Sequence, residues 1–480
     1  MKKVKYLFEN RLPGPSMMKW FGDYFPFIVS LFVLVLEFYP LIVNPYFPGD
    51  SGTRLKNASM IVWNEGGGRY WLPLLQLMVH ILYFFKIEFS LYKLIPLFFT
   101  ILFLFCFNQI GLKFLKALKL KSIYLLIISL FFVTHPLIIY LTNNLYQEMP
   151  VIALFYFLLY QIYYQKNRVL LYVTWFFALL TREYFWIYFL VWGLSNWKKI
   201  VLNSSSLVGY MSLLLIPLGW IIYTNQSMLT GFNSSSVAIT VSIIFERLTR
   251  LIVITRSLGL VPSVMALIII SISMLRDLKS KKYQLDLFEK QYLAVGLLSL
   301  LLIYLYIIFK DPWAVTPYNS RMLFPLIVLV PTFYLIYFKY VSSQTTILKY
   351  ILQILLMLSL IINIRLPLMG PFKLKRDPFY GEISNTLSSV KGQYKNTKLQ
   401  IGVTGIDYWD EYINILAGPL MYEKTEYLKN IEKIGNYQIL ITNEKNNYSG
   451  FVECKVIKVN KLVTFRVLCP RFRKSEHAVI

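Results

Sequence analysis

Long apolar blocks constrain this chain more than any other feature of its sequence. Two examples are FPFIVSLFVLVLEFYPLIV (25–43) and YLLIISLFFV (124–133). The hydrocarbon core of a bilayer needs roughly 20 apolar residues per helix, and such blocks recur along the chain. Charged residues make up only 15% of the sequence, whereas soluble domains carry about 25%. We therefore expect an all-α polytopic membrane protein, which excludes a soluble enzyme, a secreted disulfide scaffold and a disordered chain.

The chain is strongly basic, with 49 Lys and Arg against 24 Asp and Glu. In a membrane protein such an excess is typical of cytoplasmic loops, where Lys and Arg collect. No basic motif accompanies a recognisable nucleic-acid-binding fold, so no nucleic-acid partner is expected. The three cysteines show no metal-ligand spacing and do not indicate cysteine chemistry.

Charge sets the predicted topology. The basic segment 1–23 precedes the first span, which predicts a cytoplasmic N-terminus and an outer loop at 44–70. The short segment 71–85 is either a second span or a helix lying in the interface. The interfacial alternative keeps the four lysines of 111–122 inside the cell, and we prefer it. About eleven transmembrane helices then follow, with the C-terminus outside, at 24–43, 92–110, 122–141, 149–165, 166–181, 183–197, 206–223, 258–275, 291–309, 322–338 and 347–363.

The segment 169–194 is interrupted by Arg182 and Glu183. It is either one tilted span or two shorter helices that meet near 181–183, and two helices fit the charge distribution better.

The composition changes near residue 365. We predict a transmembrane domain at 1–364 and a small extracytoplasmic α/β domain at 365–480. Apolar, β-branched runs predict strands at 399–405, 437–442, 451–459 and 461–469, with helical pieces near 409–417 and 423–433. The last two strands read as a hairpin, which would bring Cys454 near Cys469. These two cysteines either form a disulfide or remain two free thiols, and we favour the free thiols.

Asp50 is the main candidate for chemistry. It lies in PGDSGTR (48–54), just beyond the first span, with Arg54 one helical turn further on if a helix starts there. Ionisable groups near membrane depth are costly and usually functional. The structural alternative is a helix N-cap, for which Asp and Ser are well suited.

Further candidates share the predicted outer side of the membrane, where carboxylates and cations together suit phosphate chemistry. Four of them have a structural alternative: a helix-dipole partner at Glu148, a local ion pair between Arg182 and Glu183, and snorkelling to head groups at Arg321. The candidates for substrate binding are Arg54, Glu148, Arg182, Glu183, Tyr318 and Arg321.

The order of these motifs resembles the GT-C superfamily of membrane glycosyltransferases, which includes protein O-mannosyltransferases and bacterial aminoarabinose transferases. The acid after the first span resembles PGDSGTR (48–54), and the Pro-Leu element of an interfacial helix resembles WLPLLQLMVHILYFF (71–85). The family's outer acid and T-K/R-E element resemble YQEMP (146–150) and TREYF (181–185), and its basic-apolar-Pro element resembles SRMLFPLIVLVP (320–331). One departure is that Ser51 follows Asp50 where the family often has a second acid.

The resemblance implies inverting sugar transfer from a polyprenyl-phosphate donor to an acceptor hydroxyl of a lipid, glycan or protein, on the extracytoplasmic face of the plasma (inner) membrane. Asp50 would act as general base, while Arg182 and Arg321 would neutralise the leaving phosphate, directly or with a divalent metal ion. No nucleotide cofactor is expected, and no motif specifies the sugar. The alternatives are a polymerase of lipid-linked polysaccharide units and a lipid or sugar transporter or flippase.

Overall fold

A computed structural model of the chain describes most of its N-terminal half and parts of the remainder. The described residues are 15–43, 50–62, 64–65, 69–70, 72–87, 89–117, 123–162, 167–182, 184–224, 261–282, 284–285, 400–404, 424–427, 439–442, 448–458 and 464–470, with isolated positions at 242, 245, 246, 249, 289, 336, 339, 340, 347, 350, 351, 354, 355 and 358. These residues are mostly helical, with a small sheet near the C-terminus.

The helices, in chain order, are α1 (Pro15–Val43), α2 (Asp50–Lys56), α3 (Pro73–Phe84), α4 (Leu94–Ala117), α5 (Ile123–Val133), α6 (Pro136–Thr142), α7 (Glu148–Tyr160), α8 (Arg168–Leu179), α9 (Tyr184–Ser195), α10 (Trp197–Val201), α11 (Ser204–Thr224) and α12 (Val261–Lys279). A 3-10 turn, Phe89–Lys93, leads into α4, and a two-residue antiparallel pair, β1 (Asn64–Glu65) with β2 (Arg69–Tyr70), lies between α2 and α3. The predicted helix at 71–85 is confirmed as α3, while its place in the membrane interface stays a prediction.

Two of the described helical segments are long and apolar enough to cross a bilayer, Leu91–Lys113 and Ser204–Tyr223. Both segments are long because no helix break interrupts their apolar runs. In the second, α11 continues through Pro217. These segments indicate association with a membrane.

The predicted single span at 122–141 is divided into α5 and α6. Pro136 is the first residue of α6, and a proline has no N–H to donate to the preceding turn. α5 therefore ends at Val133, where the Thr134 hydroxyl donates to the Leu130 carbonyl at 2.8 Å. His135, between the two helices, is fully buried.

The predicted interruption of 169–194 is confirmed, because α8 ends at Leu179 and α9 begins at Tyr184. The N-terminus of α8 is set by Asn167, whose side-chain oxygen accepts the Leu170 N–H at 3.2 Å. This is an N-cap bond, which satisfies one of the amide groups that a helix start leaves without a partner.

The structure divides the chain into two compact units. Unit 1 comprises Met1–Glu37, Phe98–Leu141 and Gln147–Lys373, and unit 2 comprises Phe38–Leu97, Thr142–Tyr146 and Leu374–Ile480. The functional division at 364/365 stays a prediction.

Aromatic side chains form a buried cluster in unit 1. Phe103 on α4 packs edge-on against Phe132 of α5 and Tyr156 of α7, with ring centroids 4.9 Å apart in both pairs. Phe107, one turn along α4, contacts the same two rings. All four side chains are fully buried, and edge-to-face pairs add to the free energy of burying apolar area. This cluster joins α4, α5 and α7.

Unit 2 contains a five-stranded mixed sheet in the order β4-β3-β5-β7-β6. Its strands are β3 (Gln400–Thr404), β4 (Lys424–Tyr427), β5 (Ile439–Thr442), β6 (Phe451–Lys458) and β7 (Thr464–Pro470). β3 pairs in parallel with β4 and β5, while β7 is antiparallel to β5 and β6. Each predicted strand is present, and the predicted β6–β7 hairpin pairing is confirmed.

Two expectations for this sheet differ from the structure. The helix predicted over 423–433 is wrong at 424–427, which form strand β4 because β3 supplies its hydrogen-bonding partner. Cys454 and Cys469 form a disulfide between β6 and β7, so the favoured pair of thiols is also wrong. The helix predicted at 409–417 lies outside the described residues.

Candidate functional site

Asp50 and Arg54 lie one turn apart on α2, as their spacing predicts for a helix starting at this point. α2 begins at Asp50 itself, which leaves both the capping and the catalytic interpretation open. The side chain of Asp50 lies outside the described part. Arg54 is almost completely buried, with 2% of its surface exposed, and Ser51 is fully buried. A buried guanidinium is costly to desolvate unless it is hydrogen-bonded or paired with an opposite charge.

Within unit 2, hydrogen bonds from Gln76 of α3 hold the C-terminal end of α2. Its side-chain Nε2 donates to three backbone carbonyls at the C-terminal end of α2 and just beyond it: those of Arg54 at 3.2 Å, Asn57 at 2.9 Å and Met60 at 3.1 Å. Carbonyls at a helix end have no partner within the helix, so the buried amide of Gln76 is well suited to donate hydrogen bonds to them. One turn along α3, the Nδ1 atom of His80 lies 2.9 Å from the Ala58 carbonyl oxygen. α3 therefore fixes the end of α2.

Sequence reasoning missed a second buried cation in unit 2. The side chain of Lys93 is fully buried, and its Nζ donates to the Asn143 carbonyl at 3.2 Å and to the Asn143 side-chain oxygen. The only signal in the sequence is a single lysine at the entrance to an apolar run, which snorkelling also explains. Its partner lies 50 residues away and could not be identified from spacing.

Arg182 and the start of α7 come together within unit 1. The Nη1 atom of Arg182 donates to the side-chain oxygen of Gln147 at 2.7 Å. Glu148, the next residue, begins α7 and is buried, with 2% of its surface exposed. Arg182 therefore contacts the YQEMP element (146–150) through Gln147, a neighbour of Glu148 that sequence reasoning did not single out.

The position of Arg182 follows from local structure at the end of α8. The Thr181 hydroxyl donates to the Phe177 carbonyl at 2.8 Å, and the Phe185 N–H donates to the Arg182 carbonyl at 3.0 Å. The indole Nε1 of Trp186 donates back to the Leu179 carbonyl at 3.0 Å. These bonds satisfy backbone groups between α8 and α9 and hold the arginine at the break.

The remaining candidates, Glu183, Tyr318 and Arg321, lie outside the described residues. Asp50 and Arg54 belong to unit 2, whereas Glu148 and Arg182 belong to unit 1. Within the described part of the chain, no group of three or more His, Cys, Asp or Glu side chains forms a possible metal site. The divalent metal ion that the resemblance implies stays a prediction, and no step below depends on one.

Comparisons with protein-family models, with curated proteins and with solved structures found no match to this chain. The resemblance to the GT-C superfamily therefore rests on the motifs of the sequence.

Proposed function

We propose that this chain is an integral-membrane glycosyltransferase that moves a sugar from a polyprenyl-phosphate donor to an acceptor hydroxyl on the extracytoplasmic face. The observation that carries the proposal is the hydrogen bond from the Arg182 side chain to the Gln147 side chain, next to the buried Glu148. A guanidinium and a carboxylate at the adjoining ends of apolar helices are costly to desolvate, and such groups usually serve a function. The guanidinium can donate hydrogen bonds to a donor phosphate, and the carboxylate can accept a hydrogen bond from a sugar hydroxyl.

The proposed membrane placement is the eleven-span topology with a cytoplasmic N-terminus. It is supported by the exposed face of α11, where large apolar side chains follow each other at intervals of three and four residues: Val208, Met211, Leu215, Leu218 and Ile222. Such a stripe on a long apolar helix suits contact with lipid. The Cys454–Cys469 disulfide supports an extracytoplasmic sheet, because disulfides persist in oxidising compartments.

In the proposed reaction, the acceptor hydroxyl attacks the anomeric carbon from the face opposite the phosphate. Asp50 takes the hydroxyl proton, a new glycosidic bond forms, and polyprenyl phosphate leaves with the electrons of the broken C–O bond. Arg182 and Arg321 neutralise the leaving phosphate, while Arg54, Glu148, Glu183 and Tyr318 contact donor or acceptor. The donor bond supplies the driving force, so the proposal includes no nucleotide cofactor.

The experiment that tests the proposal measures polyprenyl phosphate released from a panel of polyprenyl-phosphate sugars by the purified protein in liposomes. We expect Arg182→Gln to lower the rate about 10²–10³-fold, the usual cost of losing a charge-stabilising donor. Arg168→Gln is the matched control, because Arg168 is exposed at the other end of α8. It should leave the rate unchanged.

Three outcomes separate this proposal from the other two classes. Donor that crosses the bilayer without losing its sugar indicates a transporter or flippase. Products that lengthen by whole lipid-linked repeat units indicate a polysaccharide polymerase. Release of polyprenyl phosphate at equal rates by the parent and Arg182→Gln contradicts the role assigned to Arg182.

A further inference from the structure

The C-terminal end of α12 carries a compact group of exposed cations. They are Arg276, Lys279, Lys281 and Lys282, which we call the α12 basic cluster. The backbone holds the cluster in a defined turn: the Lys281 N–H donates to the Leu278 carbonyl and the Lys282 N–H to the Asp277 carbonyl, at 3.1 and 2.9 Å. Lys281 adopts a φ of 57°, the left-handed conformation that commonly ends a helix.

The one acid within the cluster, Asp277, is directed to another partner. Its carboxylate accepts the Tyr340 hydroxyl at 2.6 Å and is buried, with 5% of the residue exposed. Arg276 approaches the other carboxylate oxygen at 3.6 Å, while its own side chain stays 80% exposed. Within the described part of the chain, no carboxylate forms a salt bridge with the three lysines. The cluster therefore presents a net positive surface.

The body of α12 presents an apolar surface that leads to this cluster. Exposed Met265, Ile268, Ile272 and Leu275 follow each other at intervals of three and four residues, so they lie along one helix face. The helix has 19 residues, which gives a length of about 28 Å at 1.5 Å per residue. A hydrocarbon core is roughly 30 Å thick. One face of α12 can therefore contact acyl chains while its end lies at the level of the head groups.

We propose that the α12 basic cluster and the adjoining apolar face form a binding site for an anionic phospholipid. The phosphate lies among the lysine ammonium groups, and the acyl chains lie along the Met265–Leu275 face. Basic clusters directly beyond an apolar helix attract anionic head groups of the cytoplasmic leaflet, and the chain places this cluster in a predicted cytoplasmic loop. The proposal requires α12 to lie in the membrane but does not depend on sugar transfer.

The test uses the full-length protein in nanodiscs made from equal parts of phosphatidylglycerol and phosphatidylcholine. Native mass spectrometry counts the lipids that remain bound after release into detergent. We expect the parent to retain phosphatidylglycerol in preference to phosphatidylcholine. The triple variant Lys279→Gln, Lys281→Gln, Lys282→Gln should bind phosphatidylglycerol about 100-fold more weakly, from roughly fivefold per lysine near a charged leaflet.

Two controls separate a lipid site from general charge and from misfolding. Replacing the same lysines by arginine keeps the charges and should keep the bound phosphatidylglycerol. Replacing Lys56, Lys86 and Lys198 by glutamine removes three exposed charges from other parts of the chain and should have no effect. Equal retention of both lipids by the parent, equal loss in the control variant, or undiminished retention in the α12 glutamine variant would overturn the proposal.

Discussion

Gln76 offers the sharpest test of how unit 2 holds the helix that carries Asp50 and Arg54. Gln76→Met keeps the approximate volume of the side chain but removes both N–H donors. The Asn57 carbonyl also accepts the Met60 N–H at 3.0 Å and keeps one partner. The cost is that of losing the two N–H donors of one buried amide, about 1 kcal/mol each. We expect Gln76→Met to lower the free energy of unfolding by about 2 kcal/mol.

Gln76→Glu should be more damaging than Gln76→Met, because a buried carboxylate would face the same carbonyl oxygens that now accept hydrogen bonds. The assay is thermal unfolding of the purified protein, followed by tryptophan fluorescence. The control is Gln284→Glu, an identical change at an exposed position. If both Gln76 variants unfold at the parent temperature, the three hydrogen bonds do not stabilise α2 and this reasoning is refuted.

Two further predictions concern the C-terminal sheet and the topology. Cys454→Ser should destabilise the sheet by about 3 kcal/mol, because it opens a loop whose two cysteines are 15 residues apart. Thiol alkylation of the unreduced, unfolded parent should label Cys106 alone, and labelling of three cysteines would contradict the disulfide. A reporter that is active only outside the cytoplasm should work when fused after residue 363 but not at 280, and the opposite result would overturn the eleven-span topology.

Sequence patterns predicted those parts of the fold that depend on local chemistry. The break near 181–183 was predictable because a charged pair interrupts an apolar run, and the β6–β7 pairing followed from two adjacent β-rich runs. Strand β4 was missed because it consists of Lys424–Tyr427, whose residues have no strong strand pattern. It is a strand because β3 lies beside it, and such tertiary pairing overrides weak local preference.

The candidate site shows the same limit. Asp50 and Arg54 were predictable as neighbours because four residues make one helical turn. The bond from Arg182 to Gln147 was not, because 35 residues separate the partners and the adjacent Glu148 is the more conspicuous residue. Lys93 and Asn143 were missed for a similar reason, since a buried hydrogen bond between distant residues leaves no periodic signal in a single sequence.

Asp50→Asn tests the central claim most directly. Asparagine matches aspartate in size and caps a helix nearly as well, but it cannot accept the acceptor's proton. The measurement is the rate of sugar transfer from a polyprenyl-phosphate donor by the purified variant in liposomes, at equal amounts of inserted protein and bound donor. If Asp50 is the general base, the rate falls about 10²–10⁴-fold. A rate within a few-fold of the parent would contradict the account, because Asp50 would then be a helix cap and the base would have to be sought at Glu148.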